Sequence, residues 1–530
     1  MGLLSNINLN ELLSFVIVGS IGYVSYFYYK YFTRENPLPG PLPLPLIGNF
    51  YLLKDELAIM LSKLQANYGD FFEVYMGNQR YVCVGNEDLA KEMMKTSLDS
   101  KFHQRTDENN GLKELGLLHS GLIFNIDYDD WQYHRRFYSK TMLSPLFSKQ
   151  AVASVQVGFD EMRKYWDQLG EDIVIDFPNW MKRYFLDTIA ITTSSKPAYA
   201  LANFYNNVSP NKKITVSTHY IKESEMFMNA IDSFNSALKW FNLFPAYVRN
   251  FPGINLHTRK LKNEFFWFKN DVRKVVKARR SEIDATPKDQ PLTPDLLTMF
   301  LTVNTPRDVT ERIADDQHDK PMTDEEAASN YMEVLSGGVD TGSNSICYIV
   351  YYISHYPDVK QKLLKEFETV IGRDPNVKIT LDQLNKLEYT EAVIKEVSRI
   401  FTVTPVTFKK NTGPAEIGGI VFPSDTKFFI SRQALHLSKS QWSDPDKFNP
   451  DRFLKFNPES KNPFYMFGAG PGRNLAMIEL KATVFMLYSR YEVELVDMNA
   501  SIKYRSSHMR HCTELKVRIK RRRDLDTVKN

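Results

Sequence analysis

A chain of 530 residues with 43% hydrophobic and 13% aromatic content can bury a large core, and its formal net charge of +4 is too small to argue for nucleic-acid binding. Its three cysteines (Cys83, Cys347 and Cys512) lie far apart and form neither a metal-ligand spacing nor a disulfide framework, which fits a catalytic domain in a reducing compartment.

Leu12 to Tyr29 is uncharged and largely apolar. Its 18 residues make ~27 Å of helix, close to the least that crosses a bilayer. Lys30 and Arg34 follow, so the positive side, and the bulk of the chain with it, belongs in the cytosol. A cleaved signal peptide is the alternative; the aromatic run Tyr26 to Tyr29 and the lack of a small-residue cleavage site favour an anchor over residues 1–34. Asn36 to Asn49 is proline-rich and stiff, a spacer over residues 35–50 ahead of one domain at 51–530.

Tyr68 to Val84 alternates apolar and polar residues around Gly77-Asn78, which predicts strand–turn–strand, and Asn86 to Asp88 can cap a helix to Met94. Residues about 100–125 read as a long loop. The following helix carries Trp131 and Arg135 at i, i+4, hence on one face. An indole N–H beside a guanidinium can clamp a carboxylate, although such a pair is more often a plain surface contact. Residues 151–300 are mostly helical in pattern, broken at Pro178, Pro210 and Pro252, with an aromatic and Met-rich section from Phe204 to Trp240.

Thr323 to Glu326 is a capping box, and no proline intervenes before Pro357, which predicts one helix of roughly 30 residues. Its middle reads Gly337-Gly338-Val339-Asp340-Thr341. Two mid-helix glycines cost about 1 kcal/mol each and need a reason. One is a flat ligand against the backbone, with Thr341 in a loosened turn whose free carbonyl holds water; the other is a helix–helix crossing. Glu396 and Arg399 stand at i, i+3 in a later helix, and Arg452 lies in Phe448–Phe453. Phe464 to Leu480 places Gly468, Gly470, Pro471 and Gly472 in a loop just before a helix, where amides and the helix dipole suit an anion. After residue 485 strand-like segments run to Arg523, and the basic tail there reads as a solvated strand face, with a membrane-surface patch as the alternative.

These motifs stand in the order and spacing of the cytochrome P450 family, the haem-thiolate monooxygenases, which the chain resembles over nearly its whole length. The family's loop reads F-G-x-G-x-R-x-C-x-G-x-x-L-A-x-x-E; Phe467 to Pro471 match its first half and Gly472, Leu475, Ala476 and Glu479 its second. The resemblance implies a mainly α fold with small β-sheets (α+β) behind one transmembrane helix, and haem b as cofactor. It implies haem contacts from Trp131, Arg135, Gly338, Lys409, Phe467, Gly470 and Gly472, and proton delivery by Asp340 and Thr341. Lys409 stands where members often carry arginine, and meets a propionate as a point charge. Glu396, Arg399 and Arg452 become a buried network supporting the haem loop. The implied partners are O2, an NADPH-dependent reductase, an apolar small-molecule substrate and the endoplasmic-reticulum membrane, crossed once with the catalytic domain in the cytosol.

Four residues of the pattern, R-x-C-x, are missing between Pro471 and Gly472, and with them the cysteine that binds iron. No metal ligand is therefore assigned. The three cysteines present lie on an early strand, the long helix and a late strand, and Asn474 or Met477 could serve only if their helix reseated itself. Two classes of function remain. One is a monooxygenase whose written sequence has lost four codons, with haem binding weakened or lost if the gap is real. The other is a non-catalytic relative that binds a lipid or a partner at the membrane. Retention of Trp131, Arg135, Gly338, Asp340, Thr341 and Gly470 favours the first.

Overall fold

The computed structural model describes residues 9–522 apart from 55, 96–99, 106–109, 210–218, 310–319, 375–376, 463, 468–469 and 507, so Gly468 and the expected break at Pro210 lie outside the described residues. Helix α1 spans Leu9–Phe32, and its segment Asn10–Phe32 is long and apolar enough to cross a bilayer, with none of it buried against the rest of the protein. The proline-rich spacer is docked rather than free. Arg34 and Arg80 both pair with Glu73 at 2.6 Å, and the Asn49 amide donates to the carbonyls of Pro41 and Leu42.

The helices that position the site are α2 (Tyr128–Leu143), α3 (Pro145–Leu169), α4 (Phe177–Ser194), α5 (His219–Leu243), α6 (Ile254–Ala285), α7 (Asp324–His355), α8 (Glu388–Ile400) and α9 (Arg473–Arg490). The Thr323 side chain accepts from the Glu326 amide and the Glu326 side chain reaches back, so α7 starts on the capping box read from sequence. It packs along α4, and α9 crosses beneath it against α3. One continuous apolar core joins these helices.

Small sheets flank the helical body. Strands Phe71–Met76, Gln79–Val84, Lys427–Ser431 and Val406–Lys410 form one sheet in that spatial order, with Gln79–Val84 and Lys427–Ser431 parallel. A second joins Asp172–Asp176, Lys516–Arg521 and Tyr491–Leu495. Asp172–Asp176 is the described strand within residues 151–300, whose pattern reads as mostly helical. Gly170 leaves α3 at a φ of 141°, and the β-branched run Ile173-Val174-Ile175 pairs with the tail before Pro178 starts α4. The basic tail belongs to this sheet, with Lys516 and Arg518 facing Asp176 and Asp172 across the strands. Helix α9 also continues to Arg490, beyond the point where the sequence suggested strands, and a short helix at Asn110–Leu115 interrupts the long loop.

Candidate active site

A cavity of about 380 Å³ lies between α7 and the start of α9. From α7 it is lined by Val334, Gly337, Gly338, Thr341, Gly342 and Ser345, a single stripe at helical spacing. From below come Phe467, Gly470, Pro471, Gly472 and the first turns of α9. Trp131 and Arg135 face it from α2, and Lys409 faces it from its strand. The cavity thus brings together Thr341 and all seven residues named for haem contact. Asp340 is elsewhere.

Neighbouring residues on an α-helix point roughly 100° apart, so Asp340 cannot share the stripe of Thr341. Its carboxylate is wholly buried on the far side of α7, 3.2 Å from Lys182 Nζ, with Asn235 donating to it and His511 3.9 Å away. Burial opposes its ionisation, but Lys182 and His511 overcome that and hold its pKa below the usual range. Lys182 also pairs with the half-exposed Asp232, which links this buried pair to the surface.

The loosened turn expected at Thr341 is not present. Helix α7 is regular there, and the Thr341 hydroxyl donates to its own helix at Gly337 O, 2.6 Å away, as a threonine reaching back four residues does. The two glycines also have different reasons. A Cβ on Gly338 would stand 2.5 Å from Ile189 Cδ1, so Gly338 faces α4 as well as the cavity, and a side chain there would make the end of Ile189 shift. A Cβ on Gly337 would meet nothing within 4 Å, so that glycine faces only open space at the cavity wall.

The electrostatics are lopsided. Arg105, Arg135, Lys409 and Arg432 all line the cavity. Lys409 donates to Phe102 O at 2.8 Å and Arg432 to the carbonyls of Tyr465 and Met466, so their partners are neutral. Burial, then Arg105 and Arg135, bring the Lys409 ammonium down to about 7, and burial with Arg105 brings Arg432 to about 9. The two lining carboxyls do not compensate: burial pushes Glu333 up to about 7 and Glu479 up to about 8. Glu333 is engaged by the amides of Leu122 and Ile123. His103 stacks on Trp131 with centroids 5.0 Å apart, and its Nε2 is buried without a partner. His103, Arg105 and Arg432 were not singled out from sequence; each is an isolated polar residue without motif spacing, and only the fold converges them.

A cationic wall facing a bare helix backbone fits a flat, apolar dianion such as a porphyrin with two carboxylates. The axial ligand does not fit. Among the described residues lining the cavity there is no cysteine; Cys83, Cys347 and Cys512 are buried elsewhere. Asn474 is occupied, donating to Met142 O at 3.0 Å and Ser148 Oγ at 2.9 Å.

One consequence concerns stability. Lys409 carries a proton in the unfolded chain up to about pH 10 and in the folded chain only up to about 7, so its burial penalises folding most below that value. Lys409→Met is expected to stabilise the ligand-free protein by about 1–3 kcal/mol near pH 6. The gain should shrink as pH rises toward 10. The same change should weaken uptake of a dianionic ligand. Thermal melting across pH, and haem titration, measure the two effects.

The buried network is found as a closed unit. Arg399 forks onto Glu396 at 2.8 and 2.9 Å and donates to the carbonyls of His436, Pro445 and Lys447. Arg452 meets Glu396 at 3.1 Å and also Glu459. Two guanidiniums thus face two carboxylates over the buried Trp442 ring, with centroid distances of 5.4 and 6.0 Å. His436 passes the contact on, accepting from the Tyr465 amide at the head of the glycine loop.

A mainly helical domain behind an apolar N-terminal helix, with a cation-walled cavity between a long helix and a glycine loop, defines a haem-pocket protein of the monooxygenase type. The sequence profile of the Cytochrome P450 family matches residues 38–517, and the chain belongs to that family. It is 23% identical to Cytochrome P450 3A6 of Oryctolagus cuniculus over 87% of each chain. It is 26% identical to Cytochrome P450 3A27 of Oncorhynchus mykiss, covering 89% of this chain and 86% of that one. Cytochrome P450 4d10 of Drosophila mettleri is also 26% identical, over 87% and 86% respectively. Membership brings haem b as the family's cofactor and monooxygenation as its class of reaction.

Proposed function

We propose that this chain is an endoplasmic-reticulum haem monooxygenase that inserts one oxygen of O2 into an apolar small molecule with electrons from an NADPH-dependent reductase. On this reading the axial thiolate is encoded by the native transcript between Pro471 and Gly472. The observation that carries the proposal is the convergence of Arg105, Arg135, Lys409 and Arg432 on one cavity, where burial lowers the pKa of Lys409 and Arg432 and a bound dianion would offset that cost. A lineage released from haem would gain stability by losing it.

Haem b, when bound, supplies the oxygen chemistry of the family. Trp131, Arg135 and Lys409 would hold its propionate carboxylates, and Gly337 and Gly338 of α7, with Phe467, Gly470 and Gly472 of the loop, would line the space for its ring. Thr341 presents a hydroxyl to the cavity, and Asp340 serves from behind, on a chain of ionised groups through Lys182 to the exposed edge of Asp232. In protein carrying the axial cysteine, Thr341→Ala is expected to leave haem content unchanged while electron consumption rises relative to product. Equal coupling in both proteins would remove Thr341 from proton handling.

The anchor is supported by a second apolar surface. Tyr247 donates to Leu46 O at 3.1 Å and Phe244 stacks on Phe50, so the region after α5 lies beside the proline-rich spacer. Leu42, Leu46, Ile47, Tyr247, Phe251 and Leu256 are exposed there, a patch suited to resting on a bilayer. Protease added to intact microsomes is expected to digest the domain from the cytosolic side; a protected domain with a processed N-terminus would refute this topology.

The second reading, a non-catalytic lipid or partner binder, is favoured by the missing cysteine alone. Reading the native transcript across Pro471–Gly472 separates the two. An Arg-x-Cys-x insert supports the monooxygenase, whereas agreement with this sequence, together with purified protein that takes up no haem, supports the binder.

A further inference from the structure

Among the described residues, two places bring a histidine and two carboxylates together, with one donor atom of each within 4.8 Å of the others. In the first, Asp232, Asp340 and His511, the Lys182 ammonium already supplies the cation. The second lies where α2 meets the start of α7. Asp130 and His134 stand at i, i+4 on α2, so they share one face, one residue step round from the face on which Trp131 and Arg135 line the cavity. The other carboxylate, Glu326, is the third residue of α7 and a member of its capping box.

His134 is wholly buried, and its two ring nitrogens differ. Nδ1 is met by the Asn330 amide at 2.9 Å. Nε2 makes no hydrogen bond; it faces Asp130 Oδ2 at 3.4 Å, with Glu326 beside it. Leaving a buried polar atom unbonded costs free energy unless a ligand meets it. The two carboxylates are set around it. Asn125 donates to Asp130 Oδ2 at 2.6 Å, and Glu326 Oε2 accepts from the Thr323 amide, which leaves Oε1 for another partner. An imidazole nitrogen with two carboxylate oxygens suits zinc and similar cations, whereas magnesium and calcium take oxygen alone. Tetrahedral zinc ligands stand roughly 3.3 Å apart, so each of these atoms has under about 1 Å to travel. The ion would displace the mostly exposed Lys320, whose ammonium is 3.3 Å from Glu326 Oε1. Asn330 Oδ1 is also buried without a partner, so turning that amide over gives Nδ1–H an acceptor when Nε2 binds metal. We propose that Asp130, His134 and Glu326 form a site for a zinc-type divalent cation, with solvent completing the coordination. The bound ion clamps α2 to the first turn of α7 and so fixes two walls of the cavity against each other.

The test uses the full-length, untagged chain in detergent, stripped with EDTA and then titrated with zinc chloride while bound zinc and the unfolding midpoint are measured. The expected result is one tightly held zinc per chain and a saturable rise in the midpoint, as for any ligand of the native state alone. Magnesium chloride at the same concentrations should give no comparable rise. Glu326→Gln is the informative variant, because glutamine also serves a capping box and the start of α7 survives the change. It should weaken zinc by more than about tenfold. Lys320→Ala should tighten zinc about two- to fivefold, since the competing ammonium is gone. Absence of stoichiometric zinc overturns the site. So does zinc held undiminished by Glu326→Gln or by His134→Gln, zinc bound no more tightly by Lys320→Ala, or magnesium that stabilises the chain as much as zinc does.

Discussion

Replacing Glu396 by glutamine is expected to destabilise the domain by about 3–5 kcal/mol, enough to remove most soluble protein at physiological temperature. The shape of the side chain survives this change; its charge does not. Glu396 is wholly buried and neutralises Arg399 alone and Arg452 together with Glu459. Glutamine leaves two buried guanidiniums facing one carboxylate, and its amide N–H₂ turns a donor toward donors at the Asn449 amide or at Arg399. Arg399→Lys should fail by a different route, since one ammonium cannot reproduce the fork on Glu396 and the bonds to three carbonyls. Because Tyr465 is tied to the network through His436, both variants should also lose haem at temperatures below their unfolding midpoint. Soluble yield, thermal melting and haem loss measured on the same samples check this. A Glu396→Gln protein with a melting point within a degree of the parent would show that the network is not a support.

What could be read from the sequence divides along a physical line. Features set by local chemistry were legible. The apolar run Leu12–Tyr29 lies within α1, the capping box at Thr323 starts α7, and Glu396 and Arg399 pair at helical spacing. Features set by which face of an element meets which neighbour were not. Asp340 and Thr341 read as one motif, yet a single residue step carries Asp340 out of the cavity and onto Lys182. Gly337 and Gly338 looked equivalent until Ile189 distinguished them. Arg105 and Arg432 are more than three hundred residues apart and carry no shared pattern, although together they set the charge of the cavity. Strand Asp172–Asp176 is likewise decided by its distant partner at Lys516–Arg521, not by its own neighbours.

Inserting Arg-Ala-Cys-Ala between Pro471 and Gly472 is expected to convert the protein from one without a thiolate spectrum to one whose ferrous-CO complex shows the long-wavelength Soret band of cysteine ligation. The surroundings are ready for the insert. Pro471 and Gly472 are half-buried at the junction of the cavity with a second cleft, which shares Arg135, Pro471 and Arg473 with it, and among the described residues a Cβ on Gly472 would meet nothing within 4 Å. Four residues add up to ~14 Å of reach, and lengthening a loop by that much costs well under 1 kcal/mol. Helix α9 lacks a side-chain cap at Gly472, so its first amides are available to a thiolate placed just ahead of them, which lowers the thiol pKa. Arg135 and Arg473 at the same junction act in the same direction. An Arg-Ala-Ser-Ala insert is the control, since it restores length without the sulfur. If the cysteine and serine proteins share one spectrum, the missing segment is not the iron-binding one, and the alignment of Phe467 to Glu479 with the family's loop falls with it. If the cysteine protein alone gains the band, the rest of the chain, from Trp131 to Arg452, is intact for the chemistry of its family.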